Sequence, residues 1–410
     1  MEINIGVCGP IRESKLVLPE RGIVAIVGPN LSGKSLLEET LSSAAVAMAL
    51  TSDGSVIGRL AERMLNNEGW YKAYSGDHVD PLEYLTMEME YRDEEDYLSK
   101  LNKLSHEKGK FLGIKDYLMR TLFASDLCLS RDLQPWGDEL AGRLRIEMEF
   151  DSGYIRASLP GKDPKRIGSS AIIDSVTLSL PSQPWGINVS SPNEFLRGYV
   201  TGEGALRPSI LFAKVVTNSL RYEVEPSVLK ELTGLLLISW KEISRFEVSE
   251  EEFYIVERRG EPCIGIGEAI YPWRISSEGV VNILAHWILA RVLPLFKQEK
   301  KGALVGLEEP ESHLDPYAAY LLPKFYAELV KPYAPVLVLS THSEMFVKGL
   351  EDLVAEKILK PEQIKVYETY GEGGSFKLKQ CTISEDGYIK DSRFTEIARR
   401  LLEVRLKGGR

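Results

Sequence analysis

The chain has 410 residues, 44% hydrophobic and 27% charged, a balance that fits a globular protein with room for a large core and more than one domain. Its net charge of −10 excludes a uniformly basic nucleic-acid-binding surface, though not a local basic patch. No run approaches the roughly 20 apolar residues of a membrane helix, and MEINIGV at the start lacks the basic-then-apolar pattern of a secretion signal; both point to a cytoplasmic protein with no membrane partner.

In chain order, GIVAIVG (22–28) is a short β-branched run ending in glycine, which predicts a buried strand. After PNLSGKS, the residues Leu36, Leu37, Thr40, Leu41, Ala44, Ala45 and Met48 recur at helical spacing, so a strand, a loop and a helix follow one another. The middle changes texture. Helices are predicted at 57–74, 95–123, 208–220 and 226–240, and strands at 144–150, 154–159, 171–180 and on either side of Arg259-Gly260. No repeat or sustained heptad appears, which argues against a long coiled-coil arm. Beyond 270 an α/β rhythm resumes: helix 279–296, strand 303–308, helix 317–330 and strand 335–340. This rhythm predicts a parallel or mixed sheet covered by helices. A strand–turn–strand at 376–390 and a helix at 394–406 close the chain. Cys8, Cys128, Cys263 and Cys381 are scattered with no CxxC pair, so small buried residues are expected rather than a zinc site or a disulfide framework.

Gly28-Pro29-Asn30-Leu31-Ser32-Gly33-Lys34-Ser35 fits GxxxxGK[ST] without a mismatch, between a strand and a helix as that motif requires. Glycines let backbone N–H groups curl around phosphate oxygens, and the helix N-terminus adds partial positive charge. Asn30, Leu31, Ser32, Gly33, Lys34, Ser35 and Leu36 are the candidate nucleotide contacts. Lys34 would neutralise the outer phosphates and Ser35 would offer its hydroxyl to Mg²⁺.

Residues 306–316, GLEEPESHLDP, end an apolar strand with two adjacent acids and a proline. A magnesium nucleotide calls for a carboxylate at the end of a strand next to the phosphate loop. Glu308 supplies one, acting through a metal-bound water. Glu309 would then face the γ-phosphate, to orient or deprotonate the attacking water.

GPNLSGKS, ISSEG (275–279), LVGLEEPESHLDP and LSTHS (339–343) occur in the order found in ABC-type ATPases, and the chain resembles their soluble SMC/RecF-like branch, especially prokaryotic AAA-type proteins with an EEPE-x-H-L-x-P run. The likeness covers about 1–50 and 262–350 well and the middle hardly at all. It implies an α/β P-loop NTPase fold, an ABC-ATPase head with a mixed sheet flanked by helices, formed by 1–50 and 262–375. An inserted α+β lobe would occupy 51–261, and a C-terminal strand pair and helix 376–410. It also implies that Ser277 and Gly279 touch the nucleotide of an opposite subunit, with Glu278 suiting that place only if it points away. His342 would sense the γ-phosphate, and Asp315 would fall in a dimer-contact loop. His313 matches a histidine of that branch with either a structural or a functional task. The glutamine that normally reaches Mg²⁺ has no clear counterpart, leaving Gln134 and Gln183 by elimination. Arg12 could approach the nucleotide, although a surface arginine is the plainer reading.

The implied activity is ATP hydrolysis with Mg²⁺, coupled to closure of a homodimer around two nucleotides, in DNA repair, chromosome maintenance or phage defence. A DNA or protein partner would bind the inserted lobe, where Lys100, Lys103, Lys108, Lys110, Lys115 and Arg120 make either a phosphate-backbone contact or a solvated helix face. The alternatives are an energising transporter subunit, which the long insertion and the EEPE-H pattern fit poorly, a nucleotide-gated module without turnover, and a small-molecule kinase.

Overall fold

A computed structural model describes residues 2–52, 144–150, 153–158, 175–178, 185–189, 192–201, 209, 213, 224–243, 253–258, 261–298 and 302–392. The helices expected at 57–74, 95–123 and 394–406, nearly all of that at 208–220, the lysine-rich stretch, Cys128, Gln134 and Gln183 lie outside the described residues.

The chain opens with a hairpin, β1 (Glu2–Cys8) and β2 (Ile11–Val17), then β3 (Gly22–Val27), the glycine-rich loop and α1 (Lys34–Ser52). There follow β4 (Leu144–Phe150), β5 (Gly153–Ser158), β6 (Ser175–Leu178), β7 (Trp185–Val189), α2 (Pro192–Thr201) and α3 (Pro226–Ile243). Three strands, β8 (Phe253–Arg258), β9 (Glu261–Ile266) and β10 (Ala269–Pro272), form a small antiparallel sheet of their own. The chain then runs through α4 (Glu278–Gln298), β11 (Ala303–Glu308), α5 (Pro316–Tyr333), β12 (Val336–Thr341), α6 (Glu344–Ala355), β13 (Ile364–Glu372), β14 (Ser375–Ile383) and β15 (Ile389–Lys390).

The large sheet has the order β6-β5-β4-β1-β2-β14-β13-β3-β12-β11-β7, with β15 beside β14. Its centre is parallel: β13, β3, β12, β11 and β7 all run the same way. Strands covered on both faces read as unbroken apolar runs, and all six residues of both β3 and β12 are buried. On one flank the sheet extends through β14, antiparallel to β13, and then through β2, which pairs parallel to β14, with β1, β4, β5 and β6 following in antiparallel pairs. The stretch 51–261 therefore supplies strands at both ends of this sheet, β4–β6 at one and β7 at the other.

Crossovers set the layers. The connections from β11 to β12 through α5 and from β12 to β13 through α6 run the same way across the sheet, so right-handed crossovers place both helices on one face. Helix α5 starts where Asp315 caps it, accepting from the N–H groups of Tyr317 and Ala318 at 2.9 and 3.0 Å, with Pro316 in the first turn. It ends at Ala334, in the left-handed region at φ 52°. Of the four cysteines, Cys8, Cys263 and Cys381 are described, and all three are buried thiols outside any disulfide among the described residues.

Candidate functional site

The register of three parallel strands brings the motifs together. Val27 at the end of β3 pairs with Thr341, and Ser340 of β12 pairs with Glu308 at the end of β11. The three strand ends are level, so the loops after them open on one edge, where ligands of open α/β sheets bind. One expectation needs correcting: the strand carrying the acids is not next to the phosphate-loop strand, because β12 lies between them. Helix α1 spans the gap by packing across β11. A Cβ built on Gly306 would stand 2.0 Å from Glu38 Oε1 and 2.3 Å from Ser42 Cβ. Only a glycine lets the helix approach closely enough to carry Lys34 and Ser35 toward Glu308.

The loop is held from two sides. Gly28 has φ 141°, and a Cβ there would lie 2.0 Å from Thr369 Oγ1 on β13. The Thr369 hydroxyl also bonds the buried Ser32 hydroxyl at 2.7 Å. On the other side Gly33, at φ 87°, packs on Pro10 in the β1–β2 turn. Leu31, at φ 62°, is 93% exposed at the tip, and Pro29 and Asn30 are exposed beside it. Ser35 and Leu36 are half-buried in the first turn of α1.

Lys34 is only 3% exposed. Its Nζ donates to the Pro29 carbonyl at 2.9 Å, and among the described residues it has no ion pair. Burial lowers its pKa to about 8 against the raising influence of Glu309 and then Glu308, which places all three groups in one electrostatic neighbourhood. Glu309 takes the left-handed φ of 41°, with its N–H bonded to the Ser340 carbonyl at 2.9 Å. A non-glycine residue held there stores strain of the kind that gathers at functional sites. Its Oε1 lies 3.4 Å from His342 Nε2. Burial and then the Lys34 charge lower the pKa of His342, opposed by Glu309, so the ring is neutral at pH 7.

Of the residues singled out in the sequence, Lys34, Glu308, Glu309 and His342 thus converge beside the glycine loop. Ser277 and Gly279 stand at the N-terminus of α4, Ser277 exposed. They join the far end of the β11–α5 loop, where a Cβ on Gly279 would lie 2.6 Å from the His313 carbonyl and Asn282 Nδ2 donates to the Ser312 carbonyl at 2.8 Å. His313 itself is left-handed, at φ 64°. Glu278 is turned by Arg197 of α2, whose Nη2 donates to its Oε1 at 2.9 Å. Arg12 is exposed on β2.

Sequence reasoning missed Thr369, Arg197, Thr341 and Glu311. Glu311 is 9% exposed, and the Thr341 hydroxyl donates to its Oε1. Burial raises its pKa, against the lowering effect of that bond. It also missed a buried pair in the helical layer. His286 Nδ1 lies 2.8 Å from the Asn282 carbonyl and so carries the proton, leaving Nε2 to accept from the Tyr326 hydroxyl at 2.7 Å. Burial lowers its pKa to about 4.

Among the described residues no three His, Cys, Asp or Glu side chains gather into a metal cage. Magnesium bound with a nucleotide does not need one, since one or two protein oxygens, waters and phosphates complete its shell. The Ser35 hydroxyl and the Glu308 carboxylate are hard oxygen donors of the right kind.

The mixed sheet, the glycine loop between β3 and α1 and the flanking helices give the α/β architecture expected of a P-loop, ABC-type head. No protein-family model matches the chain, and no curated protein matches it. Among solved structures it is similar to an SMC head domain from Thermotoga maritima, with 13% identity over 92% of this chain and 97% of that one and a TM-score of 0.39. It is also similar to an SMC head bound to the C-terminal winged-helix domain of ScpA, with 11% identity over 94% and 98% and a TM-score of 0.41. An SMC head with an extended coiled coil, bound to the C-terminal domain of ScpA derived from Pyrococcus furiosus, gives 12% identity over 98% of each chain and a TM-score of 0.37.

Proposed function

We propose that the chain is a Mg²⁺-dependent ATPase that closes as a homodimer around nucleotide. The observation that carries this reading is the buried Lys34 ammonium, at a helix N-terminus, with a carbonyl but no carboxylate as its bonded partner. A desolvated cation of this kind is costly unless an anion completes it, and the surrounding backbone turn suits a phosphate.

In this reading the N–H groups from Asn30 to Leu36 cradle the phosphates and Lys34 neutralises the outer ones. Ser35 and Glu308 hold Mg²⁺, which when bound draws charge from the phosphate oxygens. Glu309 takes a proton from the attacking water or orients it, and the neutral His342 ring, 3.4 Å away, steadies that carboxylate and faces the γ-phosphate. Ser277 and Gly279, at the N-terminus of α4 beside the β11–α5 loop, serve the nucleotide of a second copy. Residues 1–50 and 262–375 act as the head, and 51–261 confers partner choice on DNA or protein. No described helix is long and apolar enough to cross a membrane.

The test is phosphate release from MgATP by the whole chain, with and without duplex or single-stranded DNA. Mg²⁺-dependent turnover that disappears in Glu309→Gln is expected. Stimulation by DNA assigns the work to DNA metabolism, and its absence assigns it to a protein partner. A chain that binds no nucleotide overturns the reading.

A further inference from the structure

Glu311 has no task in the chemistry above, yet it is a carboxyl group buried at 9% exposure three residues after Glu308. Its Oε1 accepts from Thr341, and Oε2 has no hydrogen-bond partner among the described residues. A buried acid with an unfilled oxygen does little for stability, since an apolar side chain of similar volume would avoid the desolvation cost. Its value must lie in what it holds.

We propose that Glu311 is a positioning residue: its carboxyl ties the loop bearing Glu309 to the turn bearing His342 and thereby sets the contact between those two side chains. The inference rests on the ATPase reading for its consequence, though its geometry stands apart. The Thr341 hydroxyl gives its proton to Glu311, and its oxygen accepts the Ser343 N–H at 3.0 Å. Ser343 in turn caps α6, its Oγ accepting from the Phe346 N–H at 3.1 Å. His342 therefore sits between two residues fixed by this chain of bonds. The backbone N–H of His342 also acts on the Glu311 carboxyl, lowering its pKa against burial.

On the other side the loop is pinned independently. The Ser312 N–H bonds the Glu309 carbonyl at 2.8 Å, and the Leu314 N–H bonds the Glu311 carbonyl at 3.1 Å. The Asn282 amide holds the Ser312 carbonyl from α4. Glu309, strained at φ 41°, and His342 arrive from different strands; the Glu309 N–H bonds the Ser340 carbonyl, and the Glu311–Thr341 bond adds a side-chain tie one residue nearer His342. Without it, the backbone bond at Ser340 alone would leave the His342 turn less firmly set, and a misplacement of about 1 Å is enough to cost a reaction on the order of a hundredfold.

The test needs a readout that general destabilisation leaves alone. Histidine-labelled protein reports the titration of His342 by NMR, with Lys34 and Glu309 as the charged groups facing it. Glu309→Gln should lower its midpoint by about 0.5 pH units or more in the otherwise unaltered chain. In a Glu311→Leu background that response should vanish, and Glu311→Gln, which keeps an acceptor for Thr341, should restore it. Should Glu311→Leu fail to fold, Thr341→Val removes the same bond and carries the same expectation. An undiminished Glu309 effect in those backgrounds, or no effect in the unaltered chain, overturns the proposal. In turnover assays Glu311→Leu should lower kcat about tenfold or more with the KM for ATP within about twofold. A wild-type chain without turnover would defeat the ATPase reading while the NMR cycle still decides the role of Glu311.

Discussion

Replacing Lys34 by methionine separates a residue kept for binding from one kept for stability. The side chain is 3% exposed, and its ammonium titrates near 8 instead of 10.5 because burial outweighs the two nearby carboxylates. Holding it charged at pH 7 costs about 3 kcal/mol by the free-energy equivalent of that difference. Relaxation of the loop and residual hydration reduce the figure to about 2 kcal/mol. Methionine matches the length without the charge but leaves the Pro29 carbonyl without its donor, which returns about 1 kcal/mol. The empty Lys34→Met protein should therefore be about 1 kcal/mol more stable than the parent, read as a higher urea midpoint at unchanged slope in EDTA at pH 7. The same variant should bind ATP about a hundredfold more weakly, having lost a charge-assisted contact in a desolvated site. A variant that is less stable and binds nucleotide as before would refute the reasoning, because Lys34 would then be an ordinary structural lysine.

Gly28→Ala should unfold the loop, since its Cβ would lie 2.0 Å from Thr369 Oγ1 at a φ of 141°. A loss of about 3 kcal/mol is expected, and adding Thr369→Ala should recover only part of it because the backbone strain persists; a neutral single variant would contradict the geometry. His286, neutral in the fold with a pKa of about 4 against 6.5 when unfolded, contributes stability that is full above pH 6.5 and lost as pH falls toward 4. Between pH 6.5 and 5 its share is about 2 kcal/mol. Glu311, with its raised pKa, works in the opposite direction, so the comparison is with His286→Asn, whose denaturation midpoints should decline less steeply with acid. Asp315→Ala should cost about 1 kcal/mol through the lost cap of α5, and Asp315→Asn should restore most of it.

Buried parallel strands advertise themselves, which is why 22–28, 303–308 and 335–340 were legible together with the helices between them: each is a continuous apolar run broken by glycine, proline or acids. The glycine loop was legible because its chemistry constrains residue type at fixed spacing. Strand β13 was not, since Lys365, Glu368 and Thr369 interrupt its pattern, and pairing with both β3 and β14 makes it a strand. Sheet order was likewise hidden. Nothing local in LVGLEEP says that β12 will intervene between it and the phosphate-loop strand; crossover direction decides that. Within the site, residues inside motifs were found and their supports were not. Glu311 lies in the acidic motif, but its partner Thr341 is thirty residues away. Arg197 reaches Glu278 from a helix 81 residues earlier, and Thr369 reaches Ser32 across 337 residues.

In the proposed ATPase, Lys34, Glu308, Glu309 and His342 serve a single triphosphate–magnesium pocket shared by two closing copies. Light scattering of Glu309→Gln with MgATP decides this. A mass near twice the 46.0 kDa of one chain is expected, stable in MgATP and returning to one chain with MgADP. A variant that remains a single chain in saturating MgATP, or that turns ATP over as fast as the parent, would contradict it.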